Sequence, residues 1–150
     1  MTLAAVGRCR GPGIGDAVEE FAKRAARYWP LEVVEVREEP ARGASPDLVR
    51  EREGERLLEK VRGTLVLCDP GGVAHTSEAF AAWMQREREA ARDVTFVIGG
   101  AFGIGAPLRN RPHQRLALAP WTVPHELARL VLLEQLYRAG TLVRGEPYHK

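Results

Sequence analysis

The sequence predicts an α/β domain with a mostly parallel sheet. Short β-rich apolar runs alternate along the chain with longer stretches of helical periodicity. The run VTFVI at Val94–Ile98 is apolar without alternation, which suits a strand covered on both faces. Connectors rich in glycine or proline follow the apolar runs ending at Leu67, Ile98 and Leu118, the strand ends where open α/β sheets commonly bind ligands.

Taken in order, Leu3 to Val6 reads as the first strand. GRCRGPGIGD breaks it as a flexible connector, and Asp16 is a suitable N-cap for a helix through about Tyr28. Val18, Phe21, Ala22 and Ala25 recur there at helical spacing, with Glu19, Glu20, Lys23 and Arg24 opposite. Pro30 stops that helix, and Leu31 to Val36 alternates as a second strand. The polar REEPARGASP is a loop. A helix from Asp47 to about Arg62 follows, with Leu48, Leu57, Leu58 and Val61 as its apolar stripe. Thr64 to Leu67 is the third strand, ending in the loop Cys68–Gly72. Thr76 or Ser77 caps a helix to about Arg92. After Val94–Ile98 come Gly99, Gly100, Gly103 and Gly105, where absent side chains would let a ligand approach the backbone. A tight turn without a ligand is equally compatible with that cluster. Gln114 to Leu118 makes the fifth strand, and an amphipathic helix from about Pro124 to Ala139 leads to an irregular tail.

At 150 residues the chain is expected to form a single domain spanning residues 1–150. Hydrophobic residues make up 45%, and no apolar run approaches the ~20 residues of a membrane helix, so no membrane association is expected. MTLAAVGRCR lacks a charged leader before an apolar stretch, so no secretory signal is expected. Cys9 and Cys68 are isolated, which points to a reduced, cytoplasmic setting. The net charge of +2 is too small to imply a nucleic-acid partner by itself.

The histidines, His75, His113, His125 and His149, are too dispersed for a metal motif, and no metal is expected. Asp69 is the carboxylate nearest the three loops in sequence, and it serves equally well as a solvated turn residue. His125, in the first turn of a helix, reads as structural. A crevice of backbone, glycine and apolar groups suits a reactive cofactor better than acid–base hydrolysis. It is not a P-loop, because no GK[ST] follows the glycines, and no GxGxxG follows the first strand.

Four segments then carry a resemblance: LCDPGG at Leu67–Gly72, FVIGGAFGIG at Phe96–Gly105, LALAPWTVPHELARLVLLEQLYRA at Leu116–Ala139, and PYHK at Pro147–Lys150. Their order and spacing resemble the RlmH family, the ribosomal large-subunit pseudouridine N3-methyltransferases of the SPOUT superfamily. The resemblance covers essentially the whole chain, and its C-terminal third is the most specific part. It implies helices on both faces of the sheet and a C-terminal trefoil knot, an arrangement general folding rules treat as a rare exception. It further implies S-adenosylmethionine as methyl donor, contacted by Leu67, by Gly99 and Gly100, and by Leu118, Ala119, Pro120, Trp121, Thr122 and Val123. It implies a homodimer acting on 23S rRNA in the assembled ribosome, with Arg138, Tyr148 and His149 handling the substrate. Cys68-Asp69 stands where members often read Asp-Ile or Asp-Tyr, and Gly140 replaces a bulky residue common after YRA. A non-catalytic RNA- or nucleotide-binding module of the same fold is the alternative reading.

Overall fold

The computed structural model describes residues 1–9 and 11–149. Arg10, in the first glycine-rich connector, and Lys150, at the end of PYHK, lie outside the described residues. The strands are β1 (Thr2–Val6), β2 (Glu32–Val36), β3 (Thr64–Val73), β4 (Val94–Ile98) and β5 (Gln114–Leu116). The helices are α1 (Ile14–Ala25), α2 (Pro46–Leu58), α3 (Ser77–Glu89), α4 (Ala106–Arg109) and α5 (His125–Arg144). The sheet runs β2-β1-β4-β3-β5, and every pairing in it is parallel.

The two-residue period of a strand sends alternate side chains to opposite faces. Leu3, Ala5, Val66, Phe96 and Ile98 face a larger core completed by Trp29 after α1, Phe80 and Met84 of α3, and Leu132, Leu133 and Leu136 of α5. Ala4, Val6, Leu65, Leu67 and Val97 face a smaller core closed by Leu57 of α2 and Leu108 of α4. β1 and β4 are therefore buried along their whole length, as an unalternating apolar run requires.

Several expected boundaries shift, each for a local reason. Gly13, not Asp16, precedes the first turn of α1, and Asp16 lies within that turn, where a carboxylate still meets the positive helix end. α2 starts at Pro46 behind Ser45, whose hydroxyl accepts the Leu48 N–H at 3.2 Å. Its buried stripe is Val49, Glu53 and Leu57, while Leu48 is exposed. The cap of α3 is Thr76, as expected, accepting the Ala79 N–H at 3.1 Å. β3 does not stop at Leu67. Cys68 and Val73 both pair with Leu116, so Asp69–Gly72 bulges out of a continuing strand.

The largest correction is at the C-terminus. Thr141 to Arg144, expected to belong to an irregular tail, continue α5 to a left-handed Gly145. Thr141 is fully buried and its hydroxyl donates to the Arg138 carbonyl at 2.8 Å, while Leu142 and Val143 pack on the larger core. Burial overrides a β-branched composition there. Gly140 belongs to the same contact. A Cβ at that position would run into the Tyr28 ring, so the missing side chain is replaced by an aromatic from α1's end. Trp29 adds a second tie, its indole N–H donating to the Leu136 carbonyl at 2.7 Å.

Candidate active site

Because β4, β3 and β5 are neighbours, the segments leaving their carboxyl ends converge. They enclose a cavity of about 750 Å³, within the range of small-molecule sites. Its walls are Cys68, Asp69 and Pro70 from the β3 bulge, Ile98 to Ile104 from the glycine segment, and Leu118, Ala119, Trp121, Thr122 and Val123 before α5. Arg109 and the start of α5, with His125 and Ala128, complete it.

The glycine segment folds back on itself. Gly103 N–H donates to the Gly100 carbonyl at 3.0 Å, closing a turn with Ala101 and Phe102 at its tip. Gly103 has φ +84°, a conformation side-chain-bearing residues rarely adopt. At Gly100 the need for glycine differs from that read in the sequence. A Cβ would lie 2.5 Å from Glu53 Oε2 and 3.2 Å from Val6 Cγ1, so it would enter the protein behind the turn. A side chain there would force Glu53 of α2 and Val6 of β1 to shift.

Of the nine expected donor-binding residues, Gly99, Gly100, Leu118, Ala119, Trp121, Thr122 and Val123 line the cavity. Leu67 is fully buried in the smaller core, next to the lining residue Cys68. Pro120 lies in the third segment without lining the cavity, and Trp121 beside it is strongly exposed. Burial pushes the Cys68 thiol up to about 12, which keeps it protonated at neutral pH. Asp69 is more than a turn residue. It accepts the Gly71 N–H at 2.8 Å and pairs with Arg109 at 2.5 Å, and Arg109 also donates to the Ile104 carbonyl. Burial works to raise the Asp69 pKa, but the Gly71 N–H and the Arg109 guanidinium outweigh it and hold the carboxyl below its ordinary value.

Arg138, Tyr148 and His149 are brought together, but elsewhere. The Arg138 guanidinium lies 4.7 Å from the Tyr148 ring centroid and donates to Glu134 Oε1 at 3.0 and 2.5 Å. Tyr148 O–H donates to the same oxygen at 3.1 Å. His149 Nε2 meets Glu78 Oε1 at 2.9 Å and its Nδ1 faces Arg138 at 3.3 Å, which suits an Nε2–H tautomer with the Nδ1 lone pair toward the cation. Burial, then the Glu134 charge, raise the Tyr148 pKa. This cluster is at the opposite end of α5 from the cavity. From His125 to Arg138 the helix rises about 20 Å, and none of the three residues lines the cavity.

Sequence reasoning passed over Arg109 and Glu53. Arg109 sits in a four-residue helix too short for periodicity. Glu53 is one of many charges in EREGER, but it falls four residues from both Val49 and Leu57, which puts it on the buried stripe. No group of three metal-ligating side chains occurs among the described residues, and no helix among them is long and apolar enough to cross a membrane.

A glycine-lined carboxyl edge of a parallel sheet is where many α/β folds bind ligands, and comparison with known proteins gives this one its class, the methyltransferases. The family model described as "Predicted SPOUT methyltransferase" matches residues 1–149. The chain is 57% identical over 152 aligned positions to ribosomal RNA large subunit methyltransferase H of Gemmatimonas aurantiaca, with 100% of this chain and 99% of the relative covered. Proteins of the same name from Anaeromyxobacter sp. (strain Fw109-5) and Geobacter sp. (strain M21) are 45% and 40% identical, each aligned over at least 97% of both chains. A solved structure of a "putative methylase family protein" from Neisseria gonorrhoeae shares the fold at TM-score 0.51 and 10% identity, covering 91% of this chain and 81% of that one. The chain belongs to the SPOUT methyltransferase family and, within it, to the ribosomal RNA large subunit methyltransferase H group.

Proposed function

We propose that this protein uses S-adenosylmethionine to methylate N3 of a pseudouridine in 23S rRNA of the large ribosomal subunit, in the cytoplasm. The observation that carries the reading is the convergence of three strand-end segments on one cavity of about 750 Å³. An adenosyl sulfonium fits such a lining. The apolar groups Ile98, Ile104, Leu118 and Val123 exclude water, and the glycine turn brings backbone close. When bound, the donor supplies an electrophilic methyl group on a good leaving group. The protein's part is alignment, which in favourable cases lowers a barrier by ~7–11 kcal/mol.

The proton on N3 of the base has to leave. His149 is the candidate acceptor, as the imidazole of the tail cluster. Tyr148 offers a ring on which an exposed base can stack, and Arg138 a cation for phosphate. None of the three lines the cavity of its own chain, and Arg138 lies about 20 Å along α5 from His125. The reading therefore requires a homodimer in which the tail of one subunit reaches the cavity of the other. Leu127 and Val131 support it, as they are exposed large apolar residues four apart on one side of α5. The path of α5, which leaves edge strand β5 and returns across the sheet to pack on α1, supports a knotted C-terminal region.

The test is incubation with isotopically labelled S-adenosylmethionine and ribosomes from a strain lacking the gene, followed by mass spectrometry of the rRNA. One N3-methylpseudouridine per large subunit is expected, and far less on an isolated stem-loop. No transfer to ribosomes would overturn the reading.

A further inference from the structure

Behind the glycine turn lies a smaller cavity of about 390 Å³. Gly100, Ala101, Phe102 and His125 form a wall common to the two cavities. The far side of the smaller one is acidic, with Glu38, Glu39 and Glu53. Glu39 is already occupied, paired with Arg52 and Arg56. Glu53 differs. It is 4% exposed, its Oε1 accepts the Glu39 N–H at 3.0 Å, and its Oε2 is buried with no hydrogen-bond partner.

An unpaired buried carboxylate oxygen is a cost that folds normally avoid. Burial pushes the Glu53 pKa up, the Glu39 N–H opposes this, and the charge of Glu38 pushes it further. The orphan oxygen lies directly behind Gly100, where a Cβ would stand only 2.5 Å from it. Oε2 thus lies against the Gly100 backbone of the turn that walls the large cavity.

We propose that Glu53 is the acceptor for the ammonium group at the amino-acid end of the methyl donor, the smaller cavity being the ammonium subsite of the larger. The proposal rests on the donor reading above and adds to it. An α-ammonium is the one donor group of that molecule that brings both N–H bonds and a positive charge. The ribose hydroxyls and the adenine amino group are neutral and bring no charge to the carboxylate of Glu53. The sulfonium has the charge but no N–H. A charged hydrogen bond formed away from water is strong, so the amine contributes to affinity and draws the amino-acid end of the ligand toward Gly100.

The test is calorimetry with S-adenosylhomocysteine, its analogue in which hydrogen replaces the α-amine, and 5′-methylthioadenosine. The wild-type protein is expected to bind S-adenosylhomocysteine at least ~10-fold more tightly than the amine-free analogue. Glu53→Gln is expected to remove that difference while leaving 5′-methylthioadenosine affinity unchanged. Equal binding of the two homocysteine compounds by the wild type overturns the proposal, as does undiminished discrimination by the variant. Should Glu53→Gln not fold, Glu53→Asp takes its place and is expected to discriminate less than the wild type; full discrimination there overturns the proposal. Failure of the wild type to bind any of the three compounds overturns the donor reading itself, a distinct result.

Discussion

The two ends of α5 are built from different materials. At its start the cavity is made of backbone, glycine and apolar side chains, with the Asp69–Arg109 pair as a brace at the rim. At its far end Arg138, Tyr148 and His149 are held by Glu134 and Glu78 in a cluster of charged and aromatic groups. The first end suits holding a donor that is already reactive. The second suits handling an anionic, proton-bearing substrate. Arg138 stands about 20 Å along α5 from His125, and Tyr148 and His149 cluster with it from beyond the helix. None of the three lines the cavity of its own chain, the separation on which the proposed assembly rests.

The sharpest way to break this contrast is to damage each end separately. Deleting Tyr148, His149 and Lys150 is expected to cut methyl transfer at least ~100-fold while S-adenosylmethionine affinity stays within about twofold. Single-turnover assays and calorimetry on one preparation measure both. A truncated protein that still methylates ribosomes at the normal rate would remove Tyr148 and His149 from the reaction.

Complementation sharpens the point. Ala119→Trp should fill the cavity and, like the truncation, be inactive alone. A mixed dimer of the two contains one intact cavity facing one intact tail, and is expected to recover up to roughly half the wild-type rate. Mixed dimers as inactive as their parents would mean that each chain uses its own tail.

Gly100→Val tests the packing account of the glycine turn. Overpacking against Glu53 and Val6 is expected to destabilise the fold by ~1–3 kcal/mol, a clear fall in Tm, besides weakening donor binding. An unchanged Tm with lost binding would return Gly100 to the simpler role of admitting a ligand.

The smallest expected effect is at the brace. The folded-state pKa of Asp69 is depressed, so its contribution is present above the ordinary carboxylate pKa and is lost as pH falls through the depressed value. Arg109 is 44% exposed, so solvent screening limits the pair to about 1 kcal/mol or less. Asp69→Asn should therefore lower the neutral plateau by about 1 kcal/mol or less and leave stability at acid pH almost unchanged, so that the acid limb is flatter, measured by denaturation across pH.

The periodicities in the sequence were enough for the alternation of strands and helices and for the three strand-end segments, because both depend on near neighbours. VTFVI followed by glycines could hardly be other than a buried strand entering a turn. The four C-terminal motifs were likewise enough to indicate the family. Tertiary structure alone decided the rest. It made TLVR helical through burial against α1, filled the space at Gly140 with Tyr28, and extended β3 past its bulge by pairing with β5. It also turned Glu53, by composition one more surface charge, into a buried carboxylate behind Gly100. Each of these depends on what the folded chain brings from dozens of residues away, and local pattern carries no record of that partner.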